Sequence, residues 1–202
     1  MPDLGGRGRT FAVANGAAAD DLLIAAILHD GGLKKTGAGR LLLAGSNTQD
    51  GGRVIAEGVL TLTTPMALGV AMATPVVGNG AGLELRSLPK PVFQTLILYG
   101  DGRGWGALVA VTSSNTWSGP IQMGCAPSLV VAPRAALRLE GILNATGQTL
   151  RSMPGATVNS TGPSWATPTR PWSRAVRVHG SWADPIPTLS QGPHGSKKAA
   201  CN

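Results

Sequence analysis

Short apolar runs alternate with polar, glycine-rich breaks along this chain, and the runs are spaced for strands rather than helices. The clearest unit is Leu33 to Leu62, LKKTGAGRLLLAGSNTQDGGRVIAEGVLTL. Apolar runs at Leu41 to Leu43 and Val54 to Leu62 flank a polar segment, Gly45 to Gly52, which reads as a turn because asparagine, aspartate and glycine tolerate left-handed backbone angles. Val54, Ala56, Leu60 and Leu62 suit strands, with a break at Glu57-Gly58. Further strands are expected at Thr10 to Ala14, Leu83 to Leu85, Gln94 to Leu98, Ala136 to Leu139 and Gln148 to Leu150. Ala17 to His29 is the one passage whose alanine and leucine content also fits a helix. Asp30-Gly31-Gly32 would end such a helix, but strands at Leu22 to Ala25 and Ile27 to Leu28 are the favoured reading.

The unit recurs. Gly106 to Val131 reads GALVAVTSSNTWSGPIQMGCAPSLVV, and Ser46, Asn47, Thr48 and Gly51 match Ser114, Asn115, Thr116 and Gly119. The offset is 68 residues, Asn47 to Asn115. Strand-turn units repeated without a helical period signal a solenoid, and with coils of about 20 to 25 residues this offset is three coils. On that offset Leu41 and Leu43 fall on Val109 and Val111, so all four are expected to face one interior. The two asparagines are expected to bond coils above and below, as in amide ladders. Trp117 fits either a packed turn or an exposed contact.

These residues resemble a known family. KTGAGRLLLAGSNTQDGGRVIAEGVLTL is similar to the autotransporter-associated beta-strand repeat, whose usual form is close to KTGAGTLTLSGANTYTGGTTVSAGTLQL. Ser114 to Ile121 resembles a second form, NNTWSGPITL, and DLLIAAILHDGG resembles the preceding DLTISGVISDGG. The likeness covers about Thr10 to Leu139. Gln49, Asp50, Arg40 and Arg53 depart from it. The resemblance implies an all-β, right-handed parallel β-helix, incomplete at both ends. It also implies a passenger-type segment at the bacterial surface, with an outer-membrane translocator barrel in the full-length protein. Partners implied are surface glycans or proteins of a host or neighbouring cell.

Composition agrees with an extended β structure. Of 202 residues, 29 are glycine, only 13% are charged and 4% are aromatic, a balance unusual for a helical protein. No apolar run reaches the length of a membrane-spanning helix, and residues 1–9 lack a signal-peptide pattern. The net charge of +7 is unevenly placed. Up to Gly162 there are 12 basic and 9 acidic residues, and from Pro163 onward 5 and 1. No basic stripe interleaved with aromatics marks the body, so nucleic acid is not an expected partner. Cys125 and Cys201 have no ligand spacing. Cys125 is expected to fill a turn or core position as a small apolar side chain rather than form a disulfide.

The expected organisation is an extension over 1–9, β-helix repeats over 10–160 and an irregular tail over 163–202. Three of the five tryptophans, Trp165, Trp172 and Trp182, lie in the tail without spacing. A shift of one reading frame restores the repeat there. PWSRAVRVHGSWADPIPTL, from Pro171 to Leu189, permits LVKSGAGTRLLGGSNTYT when the third base of each codon joins the first two of the next. The tail therefore reads as a frameshift product that does not extend the helix, and a gene fragment without function enters as a third reading.

Candidate chemistry is sparse. Parallel β-helices also carry polysaccharide lyases and hydrolases, which need clustered carboxylates. The candidates Asp20, Asp21, Asp30, Asp50, Glu57, Glu84, Asp101 and Glu140 stand mostly beside glycine or asparagine, where turns explain them. His29, the one histidine before the tail, has no spaced partner and reads as a turn residue. Ser46 and Ser114 have no base in view, and Gly37-Ala38-Gly39 lacks the lysine-serine ending of a phosphate loop. No catalytic residue, cofactor or metal is expected. The expected function is a structural, adhesive segment of a secreted or cell-surface protein, with a carbohydrate-active β-helix enzyme as the alternative.

Overall fold

The computed structural model describes residues 2–144 except Met72 and Ala126, together with the backbone of Thr157–Ser160 and Val176–Arg177. The strands in chain order are β1 (Asp3–Ala12), β2 (Leu22–Ile24), β3 (His29–Thr36), β4 (Arg40–Leu43), β5 (Arg53–Ile55), β6 (Gly58–Leu62), β7 (Val76–Val77) and β8 (Ala81–Arg86). After them come β9 (Leu96–Leu98), β10 (Leu108–Thr112), β11 (Ser114–Trp117), β12 (Ile121–Met123), β13 (Leu129–Val131), β14 (Ala136–Leu139), β15 (Leu143–Asn144), β16 (Thr157–Ser160) and β17 (Val176–Arg177). One 3-10 turn, Gly102–Gly104, interrupts them.

The chain is a parallel β-helix. One sheet stacks β1-β3-β5-β7-β9-β12-β15, and a second stacks β13-β10-β8-β6-β4-β2. A third, β11-β14-β16-β17, forms only from Ser114 onward. Every pairing is parallel except β16 with β17, which is antiparallel. The expected strand at Gln148 to Leu150 and the tail tryptophans lie outside the described residues.

Leucines stack through the second sheet at one inward position per coil. Leu41, Leu60, Leu83, Leu108 and Leu129 pair in sequence and are fully buried. Leu43, Leu62, Leu85, Ala110 and Val131 form a second column beside them. Coil lengths along the first column run from 19 residues (Leu22 to Leu41) to 25 (Leu83 to Leu108). Leu41 to Leu108 therefore spans three coils, as the repeat offset implied.

The interior is set by Leu108 and Ala110, however, and not by Val109 and Val111, which are only half-buried. Val109 pairs with Glu84 on the outward row. The cause is a bulge. Leu85 pairs with Ala110 but Arg86 pairs with Thr112, so Val111 is an extra residue. The leucine column thus repeats at 67 residues (Leu41 to Leu108) and the asparagine at 68. In a strand one residue of slip exchanges the faces. Val54 lies in strand β5 as expected, on the exposed row, while Ile55 is buried.

The N-terminal residues are also not an extension. β1 begins at Asp3, not Thr10, and pairs with β3 along its length. Asp30-Gly31-Gly32 end no helix. They lie inside β3, which His29 opens. Asp30 (φ 57) and Gly31 (φ 124) take left-handed angles where the register between β1 and β3 shifts. A side chain at Gly31 would strike the Arg7 carbonyl, so only glycine fits. Ala17 to Asp21 is a bend rather than a helix, and Leu22–Ile24 is a strand as favoured.

Two cations sit inside the coil. Lys35 and Arg53 occupy inward columns of the first sheet, where Lys35 pairs with Ile55 and Leu33 with Arg53. The Lys35 ammonium donates to the carbonyls of Thr36 (2.8 Å), Gly37 (2.7 Å) and Glu57 (3.1 Å). Arg53 donates to the carbonyls of Ala73 (3.0 Å), Val70 (2.8 Å) and Gln49. Burial pushes the Lys35 amine below its usual 10.5, against the smaller opposing pull of Glu57 and Asp21.

Two outcomes are expected. Leu108→Ala lowers stability by about 2–5 kcal/mol, whereas Val109→Ala changes it by about 1 kcal/mol or less, read from urea unfolding midpoints. The reverse order would refute this register. Between its lowered folded pKa and 10.5, Lys35 holds its proton in the unfolded chain but not in the folded one. The unfolded state then binds more protons, so this group makes stability rise with pH in that window. Lys35→Met removes that rise, measurable as unfolding midpoints from neutral pH to 10.5. An unchanged profile would place the amine in water.

Candidate functional site

The repeated Ser-Asn-Thr segments are not turns. From Gly45 to Gly52 no residue has a positive φ. Side chains alternate instead, with Asn47, Gln49, Arg53 and Ile55 buried and Ser46, Thr48, Asp50 and Val54 exposed. This stretch is the third side of its coil in extended form, and in the later copy the equivalent stretch is strand β11. The glycines serve close approach. A Cβ on Gly51 would lie 2.5 Å from the Gly32 nitrogen, and one on Gly119 would run into the Gln94 carbonyl oxygen.

The asparagines do join coils. The Asn47 side-chain carbonyl accepts from the Leu28 N–H (2.8 Å), and its amide donates to the Ala67 carbonyl (2.6 Å), so it bridges the coils on both sides. Asn115 accepts from the Leu88 N–H (3.1 Å) in the preceding coil. Its amide, though, turns to the Thr112 carbonyl (2.8 Å) nearby in sequence, one half of the ladder expected. Trp117 is fully buried and donates from its indole to the Gln94 carbonyl (2.9 Å), which settles it as core.

The surface feature that stands apart is the corner between the first and second sheets. At most coils this corner is short: residues 37–39, 56–57 and 78–80. At two coils it is long: residues 13–21 between β1 and β2, and residues 99–107 between β9 and β10. The long loops stand as walls, the short corners lie between them as a floor, and the result is an open groove of about 470 Å³. Ala38, Gly58 and Gly80 line the floor with backbone and small groups, and Val59 and Arg40 beside them add an isopropyl group and a cation. Wall to wall, four coil steps at about 4.8 Å make roughly 19 Å.

The wall at residues 13–21 is pinned by ion pairs on the outward row of the second sheet. Glu84 is 5% exposed and meets Arg86 at 2.6 Å and Arg40 at 3.1 Å. Arg86 in turn holds Asp20 at 3.0 Å, and Arg40 donates to the Ala19 carbonyl at 2.7 Å. Asp21 accepts from the backbone N–H groups of Arg40 (2.7 Å) and Gly16 (2.7 Å), which hold its carboxyl below the usual range. Neither aspartate points a free carboxylate into the groove.

The opposite wall carries free groups. The Asp101 carboxylate accepts from the Arg103 N–H (3.0 Å) and caps the 3-10 turn. Arg103 takes φ 56, and its side-chain stem lies over Gly80. Its guanidinium makes no ion pair among the described residues. Trp105 follows, 74% exposed. Sequence reasoning missed this pair because Gly100 to Gly106 reads only as a glycine-rich break. The signal available was an exposed-type tryptophan beside an arginine in the longest coil.

The remaining candidates scatter. The Glu57 carboxylate accepts from the Gly37 N–H (2.9 Å), Asp50 lies against the Gly31 N–H (3.4 Å), and Glu140 pairs with Arg138 (2.8 Å). His29 opens a strand, and no group of three or more metal-ligating side chains occurs among the described residues. Cys125 is half-buried at a bend and is disulfide-bonded, contrary to expectation. Cys201 lies outside the described residues.

Removing the bridging amide has a stated cost. Asn47→Ala leaves the buried Leu28 N–H and Ala67 carbonyl without partners, and stability falls by about 2 kcal/mol or more. Asn47→Asp, equal in size but without the donor, loses at least as much, while the exposed Ser46→Ala stays within about 0.5 kcal/mol. Urea unfolding reads all three, and equal midpoints would deny the bridge.

Comparison of the chain with protein-family models, with curated proteins and with solved structures gave no match.

Proposed function

We propose that this chain is a structural, adhesive segment of a secreted or cell-surface bacterial protein, acting by presenting the sides of its β-helix rather than by catalysis. The observation that carries the reading is the state of its carboxylates. Six of the eight candidates, Asp20, Asp21, Glu57, Glu84, Asp101 and Glu140, each hold a backbone N–H or an arginine in place. Such groups brace coils and loops, and a general acid or base would have to leave that work to take up a proton. The resemblance of Leu33 to Leu62 to the autotransporter-associated beta-strand repeat supports the surface location, and with it a translocator barrel elsewhere in a longer protein.

The reading predicts that beads coated with the full chain are retained on bacterial or epithelial cell layers. Beads carrying the Leu108→Asp variant, whose core is broken, are not retained. It also predicts no turnover of acidic or neutral polysaccharides. Loss of retention with the fold intact would sink the adhesive role. Polysaccharide cleavage abolished by Asp21→Asn would favour the alternative, a carbohydrate-active β-helix enzyme.

A further inference from the structure

We propose that the groove between the loops at residues 13–21 and 99–107 binds an acidic oligosaccharide, stacked on Trp105 with its carboxylate on Arg103. The inference rests on the adhesive reading and names its ligand class.

Four observations converge. First, Trp105 is 74% exposed on a loop beside a defined cavity, where its indole face has nothing to pack on. An exposed ring of this size offers a flat apolar face with a negative quadrupole. The C–H groups on one face of a pyranose ring match it. Second, Arg103 lines the same cavity and has no ion-pair partner among the described residues. Its planar fork fits a carboxylate in bidentate fashion. Third, the ionised Asp21 stands on the other wall with both oxygens on the N–H groups of Gly16 and Arg40, so it does not pair with Arg103 and leaves that guanidinium open to an incoming anion. Fourth, the floor of Ala38, Gly58 and Gly80 keeps bulk away over several coils. That leaves room for an extended chain of rings.

The geometry separates this ligand from others. A neutral saccharide would use Trp105 and leave Arg103 idle. A nucleic acid would need a track of phosphate contacts, yet Arg40, the other groove cation, is held by Glu84 and the Ala19 carbonyl. Insertions that stand on one side of a solenoid are the usual place for binding groups. In this chain the loop carrying Arg103 and Trp105 lies in the longest coil of the leucine column.

Calorimetric titration of the full chain with tetragalacturonate tests the assignment, with its methyl ester, cellotetraose and single-stranded DNA as comparisons. Binding of tetragalacturonate is expected to weaken with salt. Trp105→Ala and Arg103→Asn are each expected to weaken it about tenfold or more. Asparagine tolerates the left-handed backbone at position 103, and circular dichroism checks that both variants keep the fold. The methyl ester and cellotetraose are expected to bind at least about tenfold more weakly. No binding, equal binding of the neutral ligands, tighter binding of DNA, or binding indifferent to both substitutions would each overturn the assignment. If beads bearing the chain still adhere to cells in those cases, the adhesive reading stands and only the ligand class falls.

Discussion

Every feature of this molecule depends on one coil settling on the next at the spacing of a parallel ladder, about 4.8 Å. At that distance a position in one coil meets the same position in its neighbours, so a column is only as good as its members are alike. The leucine column from Leu41 to Leu129 satisfies this on the second sheet. Where the backbones come closest, no Cβ fits. At Gly31, Gly51 and Gly119 a side chain would collide with the backbone of the neighbouring coil. Glycine is thus required at coil contacts as well as at corners, where Gly37, Gly58 and Gly80 take positive φ.

The same constraint shapes the polar interior. The third side has no sheet before Ser114, so only some of its backbone groups pair between coils, as Thr48 N–H does with the Leu28 carbonyl and Asn47 N–H with the Met66 carbonyl, and the rest need other partners. Asn47, Arg53 and Gln94 supply them by bonding carbonyls and N–H groups of adjacent coils. Once β11 forms, Trp117 fills the interior on that side and apolar packing takes over. The buried amides and cations of the early coils substitute for strand pairing. That substitution is costly, since burial disfavours the charged form of Arg53 and leaves the Gln49 side-chain amide without a partner among the described residues.

How much of this was legible in the sequence follows from these two facts. Columns of identical apolar residues leave a period, so the strands, the solenoid and the three-coil offset could all be read. A single bulge at Val111 leaves no mark in composition, yet it exchanges the faces of everything before it relative to the asparagine after it. Asn47 and Gln49 misled because polar residues in a glycine-flanked segment are normally surface turns, and in this fold they are buried on a side of the coil without a sheet. β1 and most of β3 were hidden for a related reason. Asp3–Ala12 and His29–Thr36 are strands through their pairing with neighbours, not through their own apolar content.

The groove could not be read at all, because it belongs to no segment. Its walls are far apart along the chain and become neighbours only when the short corners of the intervening coils are counted in space. A solenoid makes such a site cheaply. The core columns fix the coil, and a corner loop can lengthen without disturbing them, since the strands on either side keep their register. Leu83 pairs with Leu108 in the same parallel register as Leu41 with Leu60, although the first pair encloses the loop with Arg103 and Trp105 and the second encloses almost no loop at that corner. Stability and recognition are therefore carried by different residues in this fold. A change in the groove loops leaves the leucine columns intact, whereas a change in a column removes both walls at once.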